Sequence, residues 1–140
     1  MRKNAFFILL STLLFTLCII NKIDIPSAKA SIQYIGDLIL SGNDVYTIDG
    51  QQFDINGSII VEGNATLILR NAIVNFTQPI DYQFNMTFRN PSDGNPRLIV
   101  ENATLTSAYS FYIYLLGNSS CIADNLELWP PQYTEYRLSM

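Results

Sequence analysis

Histidine is missing from all 140 residues, and cysteine occurs only twice. Without histidine the chain lacks the commonest general base near neutral pH and the commonest metal-binding side chain. Two cysteines cannot build a thiolate-rich zinc site or a disulfide-dense miniature domain. Charge is sparse too: 14% of residues, eight basic against twelve acidic, for a net −4. That balance argues against binding to nucleic-acid phosphates. The apolar share of 49% is too large for a disordered chain, and the length suits one small domain.

What is present divides the chain in two. Arg2 and Lys3 precede an uncharged apolar run, Ala5–Ile20, and Ser27-Ala28-Lys29-Ala30 supplies a small-residue ending. Residues 1–30 therefore read as a secretory signal peptide with cleavage before Ser31. The run is shorter than the roughly 20 residues that a bilayer-spanning helix needs. A retained signal helix would be the chain's link to a membrane. Export by the general secretory route implies an extracellular or cell-surface location.

Cleavage leaves four arginines against eleven Asp and Glu, and no lysine. The mature chain is then near −7, and Schiff-base chemistry joins histidine chemistry among the excluded classes. Cys121 becomes its sole cysteine, so no internal disulfide can form, and its apolar setting predicts a small buried hydrophobe. Six sequons follow, at Asn56, Asn64, Asn75, Asn85, Asn102 and Asn118. Each is a candidate N-glycosylation acceptor. The competing use of such asparagines is in turns and side-chain ladders, so a minority is expected to carry glycan.

An internal repeat organises the mature chain. Gly63-Asn64 opens one copy, Gly94-Asn95 the next and Gly117-Asn118 the third. Two variable residues follow, then an apolar triplet centred on Ile68, Ile99 and Ile122, then a charged residue and a second asparagine: Arg70-Asn71, Glu101-Asn102, Asp124-Asn125. The spacings differ, which points to loops inserted in the longer copy, at the turn-forming stretches Gln78–Asp81 and Asn90–Asp93. Upstream strands are expected at Ser58–Val61, Phe84–Phe88 and Phe111–Leu115, and others at Tyr34–Leu40 and Val45–Ile48. Short strands with turns every few residues mean an all-β chain. The fixed repeat selects a short parallel β-solenoid of about three coils.

In such a fold like side chains stack about 4.8 Å apart. Ile68, Ile99 and Ile122 would form an inner aliphatic stack. Asn71, Asn102 and Asn125 would form a corner ladder of amides. Gly63, Gly94 and Gly117 would supply positive φ or close backbone approach. Residues 31–57 read as an N-terminal cap with an incomplete coil, 58–128 as the repeats, and 129–140 as a tail in which Trp129, Tyr133 and Tyr136 could cover the last coil.

The copies resemble right-handed parallel β-helix repeat proteins exported to prokaryotic, especially archaeal, cell surfaces. The resemblance spans about residues 55–128 and is carried by Asn64–Ala72 and Leu98–Thr104. It implies a surface protein with a structural, adhesive or envelope role, with envelope proteins or glycans as partners. No cofactor, metal or nucleic acid is expected. The family also includes sugar-cleaving enzymes, which work with paired carboxylates. Glu101 and Asp124, at matching repeat positions, are the candidates for that alternative, a fragment of a carbohydrate-active enzyme. The more economical reading of Arg70, Glu101 and Asp124 is a solvated charge column.

Overall fold

Alternating inner apolar and outer polar positions, interrupted by Gly, Asn and Pro, force the chain into short strands separated by corners. The computed structural model describes residues 29–91 and 93–129. Residues 1–28, most of the segment expected to be a signal peptide, and the tail from residue 130 lie outside the described residues. No helix occurs among those described; the strands run parallel and wind into a solenoid of about four turns.

The first turn is β1 (Ser31–Ile35), β2 (Leu38–Leu40) and β3 (Val45–Asp49). The second is β4 (Gln52–Asn56), β5 (Ile59–Glu62) and β6 (Thr66–Arg70). The third takes β7 (Ile73–Phe76), β8 (Met86–Arg89) and the front half of β9 (Arg97–Ser107). The fourth takes the rear half of β9, then β10 (Ile113–Leu115) and the front half of β11 (Ser120–Trp129). Three parallel faces result. β3, β6, front β9 and front β11 form one. β1, β4, β7, rear β9 and rear β11 form the second. β2, β5, β8 and β10 form the third.

The extra turn relative to the sequence reading is the first. Residues 31–49, expected to be a cap and an incomplete coil, pair in register with the second turn along β1, β2 and β3. They lack the repeat's corner asparagine, and Gly50 with φ 66° stands in its place. The expected single strand Tyr34–Leu40 is two, broken at Gly36, whose φ is 98°.

Inner positions fill one continuous core. On the first face Ile48, Leu67, Leu69, Leu98 and Val100 are buried; on the second Phe53, Ile55, Val74, Phe76 and Leu105; on the third Leu38, Leu40, Ile59, Val61, Met86 and Phe88. The isoleucine stack exists but faces outward. Ile68 pairs with Ile99 and Ile99 with Ile122, yet Ile122 is 64% exposed. Leu67 and Leu69 take the inner positions on either side of Ile68. In an all-apolar triplet the two-residue alternation has no phase mark, and here the flanks point inward.

Two corners show why particular residues recur. A Cβ on Gly94 would lie 2.3 Å from the Gly63 carbonyl oxygen, so the two backbones touch and only glycine fits. Gly63 and Gly117 adopt φ of 66° and 64°. At the corner between the first and second faces, Asn71, Asn102 and Asn125 sit at φ 47°, 57° and 55°, the left-handed region that asparagine tolerates better than most residues. The Asn102 amide donates to Asn71 Oδ1 (3.0 Å), and the Asn125 amide donates to Asn102 Oδ1 (2.8 Å). Insertions are pushed outside the core. β2 and β5 are offset by 21 positions (Leu38 to Ile59) and β5 and β8 by 27 (Ile59 to Met86). The difference lies in the segment between β7 and β8. Gln78 anchors it: its amide donates to Ser110 O (2.7 Å) and its Oε1 accepts from the Phe84 N–H (2.8 Å).

Candidate functional site

The outer side of the first face gathers most of the residues singled out from sequence. Backbone pairing places Asp49, Arg70, Glu101 and Asp124 in one column. Thr47, Ile68, Ile99 and Ile122 form the adjacent column. The corner asparagines border it on the other side. The face is a ruled surface, with an aliphatic stripe, a charged row and an amide row running parallel.

Glu101 and Asp124 are register partners, and Glu101 is already engaged. Arg70 Nε donates to Glu101 Oε2 at 2.9 Å, with about half of each side chain exposed. An ion pair this open contributes at most about 1 kcal/mol. It gives the Glu101 carboxylate a cationic partner. Among the described residues no group of three Cys, Asp or Glu side chains is placed to hold a metal ion.

The sequon asparagines are not equivalent. Asn75 donates to Asp54 Oδ1 (2.9 Å), Asn85 to Tyr82 O (3.2 Å) and Asn102 to Asn71. Asn64 reaches Asn43 Oδ1 at 3.4 Å. Asn56 and Asn118 are exposed, and neither side chain makes a hydrogen bond among the described residues. Cys121 is also exposed, contrary to the buried position expected for it. It occupies an inner register position over Leu98, but on the last described strand. The partial desolvation there still raises its thiol pKa above the ordinary value.

Asp54 escaped the sequence reading. It projects from the outer side of β4, yet is only 6% exposed. Its Oδ2 accepts from Ser31 Oγ (2.9 Å) and Gln33 Nε2 (2.6 Å). Its Oδ1 accepts from Gln52 Nε2 and Asn75 Nδ2, both at 2.9 Å. Burial raises the carboxyl pKa, but the four donors outweigh burial and hold it below the ordinary value. Donors from three successive turns converge here, a constellation that no local motif in the sequence announces.

No known protein family, curated protein or solved structure matches this chain.

Proposed function

We propose that the chain is an exported cell-surface module, a right-handed parallel β-helix of the kind found in prokaryotic, especially archaeal, envelopes. Its role is structural or adhesive: the ruled first face docks envelope proteins or glycans. The observation that carries this reading is the outward isoleucine stripe. An in-register aliphatic row ending in an isoleucine that is 64% exposed adds nothing to the core, whereas at an interface it removes apolar surface from water. The signal-like segment at residues 1–30 and the unencumbered sequons at Asn56 and Asn118 agree with an extracellular setting.

The test starts from cells expressing the full chain. The exported protein is expected to begin at Ser31 and to be retained on isolated envelopes, with glycan confined chiefly to Asn56 and Asn118 by mass spectrometry. The doubly substituted Ile68→Asp/Ile122→Asp chain should export normally but lose retention. A chain that stays in the cytoplasm, or retention indifferent to the substitutions, would overturn the proposal. Turnover of an acidic polysaccharide that disappears in Glu101→Gln or Asp124→Asn would replace it with the enzymatic alternative.

A further inference from the structure

A second surface lies at the corner that leads into the first face. Three Gly-Asn pairs stack there: Gly42-Asn43, Gly63-Asn64 and Gly94-Asn95. Asn64 donates its amide to Asn43 Oδ1 and accepts at its own Oδ1 from the Asn95 backbone N–H at 3.1 Å. Two residues further on, Val45, Thr66 and Arg97 are successive register partners. These six side chains line an open groove of about 430 Å³.

Two features mark the groove as more than a gap between rungs. Thr66 is only 4% exposed, and its Oγ1 has no hydrogen-bond partner among the described residues. A buried hydroxyl left unpaired is costly and calls for a partner. Arg97 is the other. Of the three described arginines, Arg70 is paired with Glu101 and Arg89 with Glu62, while Arg97 has no carboxylate partner among the described residues. In a strongly acidic mature chain this guanidinium stands unneutralised beside a row of amides.

We propose that the groove binds a carboxylate carried next to hydroxyl groups. Arg97 takes the carboxylate through its planar fork of N–H donors. The amides of Asn43, Asn64 and Asn95 retain donor and acceptor capacity for the neighbouring hydroxyls. Val45, 66% exposed, offers an apolar edge to the carbon skeleton, and the Thr66 hydroxyl gains its missing partner. The site lies across the face from the charged row and does not depend on envelope docking, so each proposal can fail alone.

The experiment is an NMR titration of isotope-labelled full chain made without glycosylation, because a glycan on Asn64 would enter the groove. Gluconate and glucuronate are the probes; glucose lacks the carboxylate and acetate the hydroxyls. Saturable shifts at Asn43, Asn64, Thr66, Asn95 and Arg97 are expected with the two acids, with glucose and acetate weaker by about tenfold or more. Binding of both acids points to a free hydroxy acid, and of glucuronate alone to a saccharide unit. Arg97→Gln should abolish the shifts with unfolding unchanged, and Thr66→Val should weaken binding severalfold. Equal binding of glucose, shifts elsewhere on the protein, or an Arg97→Gln chain that binds normally would overturn the proposal.

Discussion

Strands β9 and β11 are near copies with different fates. Both cross the asparagine corner without a break, and nine pairs of register partners join them. On β9 the inner side chains Leu98, Val100, Ala103 and Leu105 are buried. On β11 the equivalent Cys121 and Ala123 are exposed, and Leu126 and Leu128 are only half-buried. The local sequence pattern is the same; the difference is the number of neighbours. β9 lies between other strands, whereas among the described residues β11 pairs with β9 alone. Burial in this molecule is conferred along the axis by the adjacent turn, as the nearest-neighbour energetics of repeat folds require.

That contrast can be broken or sharpened by substitution, with stability read from urea unfolding. Gly94→Ala should have the largest effect, about 3 kcal/mol, because the new Cβ meets backbone atoms of Gly63, which cannot rotate aside as a side chain can. Gly117→Ala meets nothing closer than Asn90 Cβ at 3.6 Å and should cost only the left-handed strain, about 1 kcal/mol. Equal losses at the two glycines would refute the idea that the middle turns are the tight ones. Leu105→Ala should then cost about 2 kcal/mol, the low end for a buried leucine, and its register partner Leu128→Ala about 1 kcal/mol. If Leu128→Ala proved as damaging, the end of the solenoid would be as well packed as its middle.

Asp54 extends the comparison to the N-terminal turns. Its native pKa is depressed, so its stabilisation is fully present above the ordinary value of 3.8 and is lost as pH falls through the lower native value. Asp54→Asn should cost about 1–3 kcal/mol at neutral pH, since one amide cannot accept from all four donors. It should also flatten the acid limb of the stability profile; an unchanged limb would show that the network does not hold the carboxylate charged. The smallest difference is expected at the corner. Asn102→Ala loses a bond to each neighbour and Asn125→Ala only one, a gap of about 1 kcal/mol.

Much of the architecture was legible because stacked turns repeat their corners. Gly-Asn and the second asparagine recur at positions where the backbone needs positive φ or has no room for a Cβ, so those letters report geometry directly. The inner and outer phase was not legible at Leu67-Ile68-Leu69, where all three letters are apolar. The first turn was hidden because Gly50 replaces the corner asparagine. The Asp54 network was invisible because its donors come from separate turns and meet only once the strands are in register. Cys121 was misjudged for the complementary reason: its position is an inner one, but its exposure depends on what lies beyond it.

The unequal spacing of the turns has a geometric consequence. β2 to β5 takes 21 residues and β6 to β9 takes 31, yet each step advances one strand separation, about 4.8 Å, because backbone hydrogen bonds set the pitch. Height and girth are thus decoupled. The chain can widen at a corner by a whole loop while every column of side chains keeps its spacing. New surface can be added sideways at the bends without recalibrating the rows that run along the axis.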